Sequence, residues 1–177
     1  MSPPPTTFHP SPSQIHQTRF ILLRLLPLEL VDPILHTAHY YTLHTSLRTT
    51  RRVLHDCAEE YVVSARMTGK EVREVRFRIE SHDQGWSDCP EYDGGCDGSW
   101  TWFEAKLGRG EGEEGWVVAK NLRAVGEWQV HQVVWDHTHE MVSKIQKGDS
   151  VALRTVALYP GWLNYVRRAE IDIFCWL

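Results

Sequence analysis

Paired cysteines, a basic surplus and a long unbroken apolar run are all missing from this 177-residue chain. Its four cysteines, Cys57, Cys89, Cys96 and Cys175, are widely spread and form no Cys-x-x-Cys pair, so no disulfide framework or ordinary structural zinc site is spelled out. The net charge of -4 gives no large basic field, which disfavours nucleic-acid binding by phosphate neutralisation. The best apolar run, Phe20 to Leu35, is broken by Arg24, Pro27, Glu29, Asp32 and Pro33 and is too polar to span a bilayer. The opening MSPPPTTFHPSPSQ lacks the basic start and apolar region of a secretory signal, and no Asn-x-Ser/Thr acceptor occurs. These absences predict an intracellular protein, cytoplasmic or nuclear, with reduced thiols and neither membrane nor nucleic acid as a partner.

Catalytic signatures are scarce too. No Gly-x-Ser-x-Gly elbow occurs, and Gly108-Arg109-Gly110-Glu111-Gly112 lacks the Lys and Ser/Thr of a phosphate loop. That run reads as a hairpin loop, and Glu113-Glu114 as its exposed charges. Cys57 follows His55-Asp56 without a visible pocket, and a reactive thiolate needs a stabilising neighbour. His82, Asp83, Cys89, Cys96, His131, His137 and His139 are metal-ligand types, but Cys89-x6-Cys96 is loose for zinc. Neither a cofactor nor a resident metal is predicted, and a metal-dependent enzyme is the least favoured alternative.

What the chain does have is tryptophan, eight in all. Three of them, Trp86, Trp100 and Trp102, lie in the polar stretch Ser81 to Glu104, SHDQGWSDCPEYDGGCDGSWTWFE. Large rings among turn residues either cover a core or build a recognition surface.

The pattern divides the chain into three. Residues 1–19, rich in Pro, Ser and Thr, read as a disordered tail. Residues 20–70 read as a helical extension and connector, with a helical pattern from Phe20 to about Thr49. Pro27 suits a first turn and Pro33 interrupts the pattern, so one kinked helix or two short ones both fit. A short strand is predicted at Tyr61-Val62-Val63, and the arginines at 48, 51 and 52 read as a solvated cluster. Residues 71–177 switch to a period of two. Val75, Phe77 and Ile79 alternate with Arg76, Arg78 and Glu80. Further strands are predicted at Ser99 to Leu107, Gly115 to Leu122, Trp128 to Trp135, Ser150 to Leu158 and Val166 to Leu177. A helical turn or two is predicted over His139 to Gln146, and the last strand is expected to complete a sheet. Six or so strands without a strand–helix rhythm predict an antiparallel β-sandwich.

Three motifs carry a resemblance: Leu26-Pro27-Leu28-Glu29-Leu30, then SHDQGWS at 81–87 with GSWTWFE at 98–104, then Tyr159-Pro160-Gly161-Trp162 with Asn164, Tyr165 and Val166. Over roughly residues 25 to 177 the chain resembles a group of uncharacterised fungal proteins, with an LPxEL helical segment ahead of a β-rich module. The resemblance implies a jelly-roll sandwich similar to galactose-binding-like modules, and no transferable activity. The Leu-Pro-x-Glu-Leu segment also resembles the opening of an F-box, by which adaptors dock on a ubiquitin-ligase scaffold.

The sequence thus predicts a non-enzymatic interaction module. Its ligand-binding candidates are His82, Asp83, Gln84, Trp86, Trp100, Trp102, Trp135 and Trp162, since aromatic faces stack on ligands and polar groups fix them. Its partner-binding candidates are Leu26, Pro27, Leu30 and Ile34 on the helical segment. A protein partner is expected, and a carbohydrate-binding module is the first alternative. The plainer assignment turns Trp100 and Trp102, two apart in a strand, into the core and makes Asp83 and Gln84 caps of their own loop.

Overall fold

The computed structural model describes residues 9–68, 71–108 and 115–176. In chain order these form helices α1 (Pro12–Leu23) and α2 (Leu28–Thr37) and strands β1 (Thr42–Arg48), β2 (Arg52–His55), β3 (Cys57–Val63) and β4 (Glu71–His82). Strands β5 (Thr101–Leu107), β6 (Trp116–Lys120) and β7 (Gln129–Asp136), the short helix α3 (Glu140–Ser143), β8 (Val151–Ala157) and β9 (Leu163–Trp176) follow. One antiparallel sheet runs β1-β9-β4-β7, with β2 also paired to β9; the other runs β3-β8-β5-β6.

Alternation explains the layering. In β4, Val75, Phe77 and Ile79 are buried while Arg76 and Arg78 face solvent. Their partners on β9 continue the core, with Phe77 opposite Ile171 and Val75 opposite Ile173. In the facing sheet Phe103 lies opposite Thr155 and Ala105 opposite Leu153, all fully enclosed. These two inner faces supply one continuous apolar core. Burying each large side chain there stabilises the fold by roughly 1.5–3 kcal/mol.

Two bulges interrupt the β4–β9 ladder. Val72 pairs with Cys175 and Glu74 with Phe174, which leaves Arg73 as the extra residue. Glu80 pairs with Arg168 and Ser81 with Val166, which leaves Arg167 as the extra residue on β9. An inserted residue bends a strand and re-aims its side chains. Arg73 thereby reaches the helices, and Arg167 donates to Glu80 at 2.8 Å.

Several expectations need correction. The sheets begin at Thr42 rather than residue 71, because β1 and β2 lie in the stretch read as helix and connector. The helical pattern stops at Ala38, and the chain reverses through His39 at φ 51°. Pro27 and Pro33 resolve as two helices, with Pro27 as the cap of α2 and Pro33 inside it. Helix α1 starts at Pro12, within the stretch read as a disordered tail. Ser11 caps it, Gln14 reaches back to the Ser11 N–H at 2.8 Å, and Pro12 occupies a first-turn position. Residues 1–8 of that tail, and Arg109 to Glu114 of the glycine-rich loop, lie outside the described residues. Trp100 and Trp102 do not enter the core. Thr101, Phe103, Ala105 and Leu107 take the inner face of β5, so Trp102 is turned outward. Among the described residues no helix is long and apolar enough to cross a membrane.

Candidate functional site

The β4–β5, β6–β7 and β8–β9 connections meet at one end of the two sheets. Gly94 N–H donates to Arg123 O and Arg123 N–H to Gly95 O, both at 2.8 Å, while Leu158 N–H donates to Trp100 O at 3.0 Å. Beneath them lies a buried polar network. Ser81 Oγ donates to Asn121 Oδ1 at 2.7 Å, and Asn121 Nδ2 donates to Thr101 Oγ1 and Asn164 Oδ1, each at 3.0 Å. Asn164 Nδ2 donates in turn to Val156 O at 2.9 Å and Trp102 O at 3.2 Å. Every donor and acceptor of the two amides is used, which rigidifies a buried network.

Asp83 is wholly enclosed. Its Oδ1 accepts from Gly85 N–H at 2.9 Å and its Oδ2 from Ala124 N–H at 2.7 Å, so it ties two connections together. Burial pushes its carboxyl up, against the lowering effect of those backbone donors. Gly85 has φ 82°, and a Cβ there would stand 3.1 Å from the Gly126 Cα; both features require glycine. His82 donates from Nδ1 to Asp83 O at 2.6 Å, stacks on Tyr165 with centroids 4.5 Å apart, and meets the edge of Trp128 at 4.4 Å. Arg167 and Arg51 lie over Trp128 at 4.4 and 5.5 Å. Gln84 Nε2 donates to Trp86 O at 2.8 Å, and its Oε1 accepts from Leu163 N–H at 3.3 Å.

Exposed aromatic surface surrounds this anchor. Trp86 is 55% exposed, Tyr92 59%, Trp100 40% and Tyr159 52%. Trp100 meets Tyr159 edge-on at 4.5 Å, and Tyr159 holds φ 76°, uncommon outside glycine. Arg123 lies 5.6 Å over the half-buried Trp162 and 5.7 Å from Tyr92, and it pairs with Asp93 at 3.6 Å.

The fold therefore brings His82, Asp83, Gln84, Trp86, Trp100 and Trp162 to one end. Only Trp86 and Trp100 among these are exposed; His82 and Asp83 are enclosed. Trp102 lies on the outer face of β5, where its Nε1 donates to Glu104 at 2.8 Å. Trp135 is in the core at the opposite end, edge-on to Phe77 at 5.0 Å and stacked on His139 at 3.9 Å. The sequence reading missed Tyr92, Arg123, Trp128 and the two asparagines. Asn164 and Tyr159 lay inside the quoted C-terminal motif, whereas Arg123 carried no local signal.

The helical segment is a second candidate. Helices α1 and α2 form a hairpin clamped by Arg19 on Asp32, with Nε to Oδ1 at 2.9 Å and Nη2 to Oδ2 at 3.1 Å. It buries Ile15, Val31 and Leu35. Seven large apolar side chains are left exposed: Phe20, Ile21, Leu23, Leu25, Leu28, Leu30 and Ile34. Of the predicted partner-binding residues, Leu30 and Ile34 are exposed apolar groups, Pro27 is exposed at the cap, and Leu26 is half-buried. His36 fastens the hairpin to the sheets. Its ring stacks on Trp176 at 4.1 Å, its Nδ1 donates to Tyr41 Oη at 3.3 Å, and its Nε2 faces Arg73 Nη2 at 3.5 Å. Arginine has no acceptor, so Nε2 is unprotonated. A groove of about 430 Å³ runs beside it, lined by His36, His39, Tyr41, Arg73, Asp136 and His137 among others.

The other ligand types do not converge. His131 faces the core near Phe103 at 6.4 Å, where burial holds its pKa below the usual imidazole value. His139 caps α3, accepting from Met141 N–H at 3.2 Å. Among the described residues no group of three or more His, Cys, Asp or Glu side chains is placed to hold a metal ion. Compared with known proteins, the chain matches no protein-family model and no curated sequence.

Proposed function

We propose that this protein is a non-enzymatic interaction module that holds a protein partner on its N-terminal hairpin and offers an aromatic loop end for recognition. The observation that carries the reading is the apolar exposure of the hairpin between Phe20 and Ile34. Helices of a monomeric domain turn their apolar side chains inward, and a contiguous exposed patch marks an interaction site. The segment that resembles an F-box opening, Leu26 to Leu30, lies in this hairpin, which supports an adaptor role. Strand order supports the jelly-roll reading, since β1-β9-β4-β7 facing β3-β8-β5-β6 interleaves eight strands in two antiparallel sheets, with the short β2 added beside β9 as a ninth. None of the four cysteines, all within the described residues, is joined in a disulfide, and Cys89 and Cys96 are exposed, which fits a reducing, intracellular setting.

A photo-crosslinking residue at position 25 tests the hairpin. One discrete protein adduct from cells is expected, with none from the same probe at exposed Val117 on β6. A diffuse ladder at both positions would remove the docking role.

A carbohydrate-binding role is the second reading, favoured by the exposed indole of Trp86 beside Gln84. It predicts a saturable change in tryptophan fluorescence with one sugar class, lost in Trp86→Ala. A flat titration across sugars removes it.

A further inference from the structure

We infer that the closed end of the hairpin is a self-association surface whose occupant is a second copy of this chain. This deepens the reading of the hairpin as a protein-docking element and rests on it.

Amount of surface comes first. The last turn of α1, the connection at Leu25 and the first turn of α2 leave apolar side chains between 40% and 75% exposed. Together they make on the order of several hundred Å² of apolar surface, comparable with the largest patch on a typical monomer, about 300–600 Å², which is often functional. Each partner in a standard interface buries roughly 800 Å², so a patch of this order matches what a modest dimer needs.

Charge supplies the second, independent observation. Arg24 is the C-cap of α1, and Glu29 lies in the first turn of α2. Both are exposed, and neither has a partner among the described residues. The other arginine of the hairpin, Arg19, is already satisfied by Asp32 within the chain. A twofold contact brings residue i against j and j against i. In the proposed contact two antiparallel hairpins set Arg24 of each against Glu29 of the other, with Leu25 and Leu30 closed between them. The result is an end-to-end contact of two hairpins that closes their apolar turns against each other. A lipid surface fits less well. An interfacial helix needs a cationic polar face, and here Arg19 is paired with Asp32, Arg24 is a single cation beside the acidic Glu29 in sequence, and the chain is net negative at -4.

Light scattering on the full chain at high micromolar concentration is the test. The expected mass is twice the 20.5 kDa of one chain. Leu25→Asp with Leu30→Asp is expected to be monomeric and to melt as the wild type does at concentrations too low for it to associate, because both side chains are exposed. Arg24→Glu alone and Glu29→Arg alone place like charges in contact, and each is expected to weaken association by about tenfold or more. Mixing these two variants restores both pairs, so a heterodimer of wild-type affinity is expected. A monomeric wild type overturns the proposal, as does a dimer that survives the double aspartate variant or ignores the charge exchange. A monomer whose position 25 still crosslinks to a different protein overturns self-association and leaves the docking reading standing. A monomer without any adduct sinks both. Sedimentation of a monomer with phosphatidylcholine or phosphatidylserine vesicles would replace the protein occupant with a membrane and also overturn the proposal.

Discussion

Asn121 and Asn164 close one end of the core with amides, and the end is only as stable as their full pairing. Asn121→Ala would leave Ser81, Thr101 and Asn164 enclosed and short of a partner. The expected cost is about 3 kcal/mol, read from urea unfolding. Thr155 is the opposite case, fully enclosed with an unpartnered Oγ1. Thr155→Val is expected to stabilise by about 1 kcal/mol in the same assay. The tryptophans divide as sharply. Trp135→Ala opens a cavity beside Phe77 and is expected to cost about 3–5 kcal/mol, whereas Trp86→Ala should change stability by less than about 0.5 kcal/mol. At this scale Asp83 was legible as a cap of its own loop, because the pattern is local. The asparagine network was not, since its bonds join residues 20, 40 and 43 positions apart.

Among the elements, the hairpin depends on an uncharged imidazole. Burial first, and Arg73 second, hold the His36 pKa below its ordinary 6.5, with Glu71 and Asp32 opposing them and His137 adding to the lowering. The unfolded or undocked form therefore binds more protons below pH 6.5, so stability falls as pH drops through that value. Acidification is expected to release the hairpin, read as faster proteolysis near Arg24 and altered Trp176 fluorescence. His36→Phe keeps the stack without the titration and should flatten that response. Strands β4 and β9 were legible because apolar and charged side chains alternate along them. Strands β1 and β2 were not, for TLHTSLR and RVLH are short, polar and largely exposed, and edge strands need little apolar surface. Trp100 and Trp102, ligand-binding candidates whose plainer assignment by strand spacing was to the core, stay out of it because the phase of Phe103, Ala105 and Leu107 decided the face. The start of α1 was legible in principle as Ser11-x-x-Gln14 with Pro12, but the prolines upstream outweighed it.

For the molecule as a whole, two stacked antiparallel layers followed from period-two alternation, while the pairing order did not, since β9 joins strands far from it in sequence. It is registered against β1, β2 and β4 at once. Shortening it is thus expected to affect a whole layer: a chain ending at Tyr165 should lose cooperative thermal unfolding, measured by circular dichroism. The same placement governs how the protein is made. While β1, β2 and β4 emerge from the ribosome, the strand that must lie between them has yet to be translated, and their edges wait unpaired. Such distant pairings form slowly and leave nascent chains prone to clumping, so this layer closes after synthesis of residue 176, in a late step that chaperones are positioned to guard.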